Sequence, residues 1–235
     1  MRKLIFFLYI LISFPAFAFW GERGEGIIDS IYSPDTAPHV YLTLDACGSK
    51  DDGYDKELID FLRAEKIKAT LFINARWIDK NPDIFMQLAR DPLFKIENHG
   101  MRHKPASVSG RTVYKIKGTV SKDDLVYEVN ANADKIEKLT GRRPRWFRSG
   151  TAYYDGEAIN IITKELGYKI AGFAITLDAG ATFPAGKVYS QTMLAKSYDI
   201  LLAHMNRPKG ETFEGLKPAL LELKAKGFVF DVLPN

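Results

Sequence analysis

From residue 39 onward, short apolar runs alternate with stretches in which apolar positions recur every three or four residues. The runs fit strands buried on both faces, and the recurring positions fit helices that cover them. Residues 39–44 open the series as a strand. A helix follows over residues 55–66, with Leu58, Ile59, Phe61 and Leu62 as its apolar stripe. Residues 69–73 make a second strand. Asn81 is a suitable cap, and Pro82 a suitable first residue, for a helix that ends near Arg90. Residues 93–96 form a third strand, and the basic, aperiodic residues 107–119 read as an exposed loop. Ser121 opens a helix with Asp124 three positions in, and Gly141 stops it. Strand 145–148, helix 156–166 closed by Gly167, strand 168–173 and its continuation 175–178 come next. Helix 188–197, strand 199–204, helix 213–226 and strand 228–232 complete the chain. This order predicts an α/β fold with a parallel sheet. Six or seven units without a glycine-rich dinucleotide turn favour a closed or nearly closed barrel over an open doubly wound sheet. Residues 19–38 read as an irregular lead-in, with a short strand at 27–31.

The first residues follow a different pattern. Arg2 and Lys3 precede an unbroken apolar run over residues 4–12, and Ala16-Phe17-Ala18 offers small residues to a signal peptidase. The run is well short of the ~20 apolar residues a spanning helix needs. Residues 1–18 are therefore expected to be a cleaved signal peptide, with a retained anchor as the alternative. The product would be periplasmic or secreted, with no stable membrane insertion after cleavage. Residues 39–235 would form one large domain, which suits a chain that is 46% hydrophobic and 26% charged. Losing Arg2 and Lys3 reduces an already small net charge of +4, too little for a nucleic-acid partner. Cys47 is the only cysteine, so stability must come from the core even in an oxidising compartment.

Chemistry concentrates where strands end. Asp45, His99, Arg148, Asp178 and His204 each stand at or just after the end of a predicted strand. In a parallel barrel those ends form the active face. Any one of them has an ordinary explanation as a cap, turn or ion-pair residue. Five at five strand ends point to a site. His99 and His103 are two of four histidines. If that stretch turns helically, residues four apart share one face with Cβ atoms about 5–6 Å apart. Two imidazoles so placed can share one divalent metal. Asp45 could then act as general base, and His204, across the rim, as general acid. Arg148 would orient Asp45 and keep it ionised, while Asp178 would fix the tautomer of His204. These parts amount to hydrolysis of an amide or ester at a metal centre. Tyr153 and Tyr154 are expected to line the mouth, where their rings can stack on substrate.

The sequence resembles the polysaccharide deacetylase family, the NodB-like carbohydrate esterases of family 4, over roughly residues 40–233. Thr43-Leu44-Asp45 is similar to the family's Thr-Phe-Asp-Asp, and Asn98-His99-Gly100-Met101-Arg102-His103 to its Asn-His-Ser/Thr-x-x-His. Phe147-Arg148-Ser149-Gly150 resembles Phe-Arg-Pro-Pro, and Leu202-Ala203-His204 resembles Leu-x-His. Asp178 is matched to the remaining motif, although the tryptophan expected near it is absent. The resemblance implies a distorted (β/α)7 barrel that removes N-acetyl or O-acetyl groups from a polysaccharide such as peptidoglycan or chitin-like glycan. It implies a divalent metal, zinc first, with cobalt, nickel or manganese as alternatives. It also implies Asp45 as base, His204 as acid, and His99 and His103 as metal ligands.

Two departures matter. Ala46 stands where the family has the aspartate that is its third metal ligand. Asp45 itself, Cys47, Asp51 or Asp52 would have to replace it, or the site is impaired. Gly100 stands in place of a hydroxyl residue and is expected to loosen the histidine loop. Because the other site residues are retained, a divergent but active branch is the favoured expectation. Its rivals are a catalytically impaired carbohydrate-binding protein and an amidohydrolase for a small non-sugar amide.

Overall fold

His39–Ala46, Ala69–Ile73 and Phe94–Asn98 are buried at every residue, as strands covered on both faces must be. The computed structural model describes residues 19–34 and 36–235, so the expected targeting segment lies outside the described residues. The main sheet runs Ile175–Thr176, Ile200–His204, His39–Ala46, Ala69–Ile73, Phe94–Asn98, Trp146–Phe147, Lys169–Ala171, Ile27–Ile28. All of these neighbours pair in parallel. Val229–Phe230 adds to the start of His39–Ala46. Lys169–Ala171 and Ile175–Thr176 belong to one stretch of chain yet lie towards opposite ends of this order. The sheet therefore curls back on itself into an incomplete barrel. At the crossing, the Gly172 and Ala174 amides donate to the carbonyls of Ile28 and Ile200, each at 2.8 Å. A Cβ on Gly172 would lie 2.7 Å from Ile27 Cγ2, so glycine permits this close approach.

Strand alternation divides the core in two. Leu42, Leu44 and Ala46 face outward with Leu71 and Ile73, against Leu58, Leu62, Trp77 and Phe85 of the covering helices. Tyr41, Phe72, Trp146, Ala171 and Ile200 fill the interior. Thr43 and Asp45 continue the inward series above Tyr41.

The helices are Lys56–Ala64, Ala75–Lys80, Pro82–Arg90, Lys122–Thr140, Gly156–Asn160, Ala185–Thr192 and Thr212–Ala225. Gly156–Asn160 continues into one π-helical turn, Ile161–Glu165. Ser121 caps Lys122–Thr140, and Gly141 ends it at φ 72°. Three expectations need correction. Asn81 makes no side-chain cap; its Nδ2 donates to the Trp77 carbonyl at 3.1 Å, because the unpredicted helix Ala75–Lys80 ends there. The helix expected over 188–197 begins and ends earlier, after Pro184. The loop expected over 107–119 contains a small hairpin, Thr112–Val113 with Ile116–Lys117. The lead-in is also anchored, with Trp20–Gly21 pairing antiparallel with Tyr154–Asp155 beside the rim. Among the described residues no helix is long and apolar enough to cross a membrane.

Candidate active site

Asp45, at the inward end of its strand, is 3% exposed. Such a carboxylate is costly to bury unless paired, and Arg148 provides the pair. Arg148 Nη1 donates to Asp45 Oδ1 at 2.8 Å and to Thr43 Oγ1 at 2.9 Å. The rest of the guanidinium donates to the carbonyls of Ala171 and Gly172, and it lies 4.4 Å from the centroid of the Phe72 ring. Burial opposes ionisation of Asp45, yet the charges of Arg148, His99 and His204 hold its carboxyl below the ordinary value. Asp45 Oδ2 is the free oxygen, 3.6 Å from His99 Nε2.

His204 is the residue in register with Asp45 on the adjacent strand, not across the rim as the sequence reading had it. Its Nδ1 lies 2.9 Å from Asp178 Oδ1, and a carboxylate beside that nitrogen makes it the protonated one. Asp178 is itself fully buried and accepts from the His204 amide and the Thr212 hydroxyl through Oδ2. Burial opposes a charged imidazole, but Asp178 and the Cys47 sulfur raise the His204 pKa well above its ordinary value.

His99 and His103 meet without a helix. The loop after Phe94–Asn98 turns through two left-handed residues, Gly100 at φ 76° and His103 at φ 63°. The two rings stand 4.9 Å apart, nearly perpendicular. His99 Nδ1 donates to the Arg148 carbonyl at 3.0 Å, which leaves Nε2 as a lone pair facing Cys47 Sγ at 3.8 Å. Burial opposes protonation of His99, while Asp45 and Cys47 raise its pKa. Gly150 lets the following loop rest on this turn, since a Cβ there would fall 2.3 Å from the His103 carbonyl carbon.

One ligand atom each from Cys47, His99 and His103 lie within 4.8 Å of one another. His103 Nε2 is buried and has no hydrogen-bond partner among the described residues. An orphaned imidazole nitrogen beside a second imidazole nitrogen and a sulfur is a donor set that suits a divalent metal. Burial opposes a thiolate at Cys47, but the charge of His103 and the closeness of His204 and His99 hold its pKa well below the ordinary value. Asp45 stands beside this set, with Oδ1 committed to Arg148 and Oδ2 3.6 Å from His99 Nε2. Asp51 is exposed, and Asp52 is taken by Arg207 Nε at 2.9 Å and the Ser49 amide. Neither belongs to the cluster.

These groups open into a cavity of about 840 Å³ whose walls include Asp45, Cys47, His103, His204, Arg76, Arg102, Arg207 and Tyr114. The expected aromatic pair is placed differently. Tyr154 is fully buried, and its hydroxyl accepts from the Ser149 amide at 2.8 Å. Tyr153 packs its ring against Trp20 and Tyr114, so that Tyr114 is the tyrosine on the cavity wall.

Two positioning residues escaped the sequence reading. Asn74 Nδ2 donates to the carbonyls of His99 and Gly100. Glu128, 1% exposed, accepts from the amides of Arg102 and Lys104 and from Arg102 Nε. The signal for Glu128 was present. It stands with Asn132 on the inward stripe that Leu125, Val129 and Ile136 define, and a polar group on such a stripe must have a buried partner.

A family model described as polysaccharide deacetylase matches residues 32–171. The uncharacterised protein YlxY of Bacillus subtilis (strain 168) is 24% identical over 198 residues, covering 83% of this chain and 56% of that protein. A peptidoglycan-N-acetylglucosamine deacetylase of Bacillus cereus is 27% identical over 201 residues, covering 84% of this chain and 87% of that one. Among solved structures, a mutant of the family 4 pseudoenzyme BA3943 from Bacillus anthracis, with restored enzymatic activity, superimposes with a TM-score of 0.67 at 22% identity. That match covers 83% of this chain and 65% of the other. The chain thus spans under two thirds of the length of two of these proteins.

Proposed function

The chain belongs to the polysaccharide deacetylase family, and from that premise we propose that it is a metal-dependent hydrolase removing N-acetyl or O-acetyl groups from a polysaccharide such as peptidoglycan or chitin-like glycan. The observation that carries this reading is the meeting, beside one cavity, of a buried carboxylate held ionised, a partly exposed histidine held protonated, and the Cys47–His99–His103 donor set. Those three residues would hold the divalent ion, zinc by the character of the donors, and the ion would polarise the acyl carbonyl and lower the pKa of a water towards ~7. Asp45 Oδ2, free of Arg148, takes the proton of the attacking water. Arg148 keeps Asp45 charged while that proton is still in place. His204, with Nδ1 committed to Asp178, delivers a proton from Nε2 to the leaving nitrogen or oxygen. Tyr154 is buried below the surface, and Tyr153 packs against Tyr114 beside the cavity. The charged start and apolar run of the first residues support export, to the periplasm or beyond, where such glycans lie.

Ala46 favours a second reading, a glycan-binding protein on the same fold without turnover. Against it, position 46 faces the outer core, and Cys47, the next inward residue, stands where a ligand is needed. The test is metal analysis of the purified protein together with acetate release from N-acetylglucosamine oligomers. We expect stoichiometric metal and acetate in the wild type, and neither in His99→Ala. Sugar binding with no acetate under any divalent metal would instead establish the binding protein. Turnover confined to small amides would establish the amidohydrolase.

A further inference from the structure

We propose that the hairpin Thr112–Val113/Ile116–Lys117 is a glycan subsite, in which one sugar of a polymer stacks on Tyr114 while another unit lies at the catalytic groups; this rests on the deacetylase reading and names how that site selects a chain over a single sugar. Tyr114 and Ile116 line the same cavity as Asp45, Cys47 and His204. Tyr114 is 68% exposed, whereas Phe173, the other aromatic ring on that wall, is 6% exposed. Tyr114 belongs to no core cluster, so burial in the core does not account for an aromatic residue there.

Its backbone gives an independent reason to expect a use. The turn has two central residues, Tyr114 at φ 51° and Lys115 at φ 63°. Such turns suit Asn-Gly, and a bulky residue in the left-handed region is disfavoured. Strain of this kind persists where the surroundings impose it, and here they do. The Tyr114 hydroxyl donates to Glu22 Oε1 at 3.3 Å, and the ring meets Tyr153 edge-on at 5.7 Å. Tyr153 in turn packs on Trp20 at 5.5 Å. Lead-in, hairpin and the loop after Arg148 thus converge to hold one solvent-facing ring upright on the cavity wall. A pyranose offers an apolar C–H face to such a ring and hydroxyls to the Glu22 carboxylate beside it.

The experiment is calorimetric binding of the N-acetylglucosamine dimer and pentamer to the full chain carrying His204→Ala, so that the probes are not consumed. Tyr114→Ala should weaken the pentamer about tenfold and leave the dimer unchanged, while Tyr114→Phe retains pentamer affinity within about twofold. With His204 intact, Tyr114→Ala should raise the pentamer KM by a similar factor at unchanged kcat. Equal loss for dimer and pentamer, unchanged pentamer affinity in Tyr114→Ala, or no pentamer binding at all would each overturn the subsite. Lack of acetate release by the wild type would sink the deacetylase reading alone, because the binding series does not depend on turnover.

Discussion

At the scale of single residues, the placement of Cys47 follows from strand alternation. Tyr41, Thr43 and Asp45 point inward and Leu42, Leu44 and Ala46 outward, so position 46 in this backbone faces apolar side chains. The first residue after the strand, Cys47, returns to the inward side with its sulfur among three imidazoles. Residues behind metal ligands typically cost 10–100-fold in affinity when lost, so removing a direct ligand is expected to cost roughly the upper end of that range. Cys47→Ser should therefore weaken zinc by about 100-fold in a competition assay. Cobalt-loaded wild type should show sulfur-to-metal charge transfer in the near ultraviolet that Cys47→Ser lacks. If both proteins bind cobalt alike without that band, Cys47 is not a ligand. His204 carries a prediction about pH. Asp178 raises its folded pKa, so the proton-donating form is present at lower pH and is lost as pH rises through that value. In Asp178→Asn the alkaline limb of kcat should move to lower pH, and turnover at neutral pH should fall. An unmoved limb would mean that His204 is not the acid.

At the scale of elements, the histidine loop is held more firmly than its glycine implied. Gly100 sits at φ 76°, and a Cβ there would lie 2.6 Å from Glu128 Oε1. The glycine makes room for a carboxylate that accepts from two loop amides, and Asn74 ties the loop's carbonyls from the other side. The expected loosening is replaced by a buried clamp. Glu128 is buried but the Arg102 side chain is 35% exposed, so the main cost is the lost acceptor of the loop amides, typically about 1–3 kcal/mol. Glu128→Ala should lower the free energy of unfolding by about that amount and reduce metal affinity about tenfold or more. Denaturant unfolding of the metal-free and metal-loaded chain separates the two effects. A variant that loses stability but keeps full metal affinity would leave Glu128 structural only. What was legible here, and what was not, has a physical pattern. The long strands and the helix Lys122–Thr140 announced themselves because burial repeats along them. Ala75–Lys80 and the hairpin at Thr112–Lys117 are too short for a period to show, and strong local caps or tertiary contacts fix them instead. The Tyr153-Tyr154 pair misled for a related reason. Two adjacent aromatics point opposite ways on an extended segment, and sequence does not say which wall faces the cavity.

At the scale of the molecule, the five chemical residues lie at one rim because the strands that deliver them run parallel. That much follows from strand–helix alternation and was readable beforehand, as was the curled α/β architecture. A nearly closed barrel was expected, but the position of its seam was not readable, since it depends on carbonyls left free where one stretch of chain leaves one neighbour for another. Arg148 uses those carbonyls. Its guanidinium binds Ala171 and Gly172 at the crossing, and Thr43 and Asp45 on a strand beyond the barrel interior. The group that keeps Asp45 charged thus also ties together strands that are not neighbours in the sheet, across the barrel interior. A lysine would keep the charge but cannot fork to both places. Arg148→Lys should lose activity and about 2–6 kcal/mol of stability, since two buried carbonyls lose their donors at roughly 1–3 kcal/mol each. The loss should be local to the seam, with faster hydrogen exchange at the Gly172 and Ala174 amides than at those of Phe94–Asn98. Should activity vanish while stability and seam exchange stay at wild-type values, Arg148 serves Asp45 alone, and the barrel is closed by its backbone.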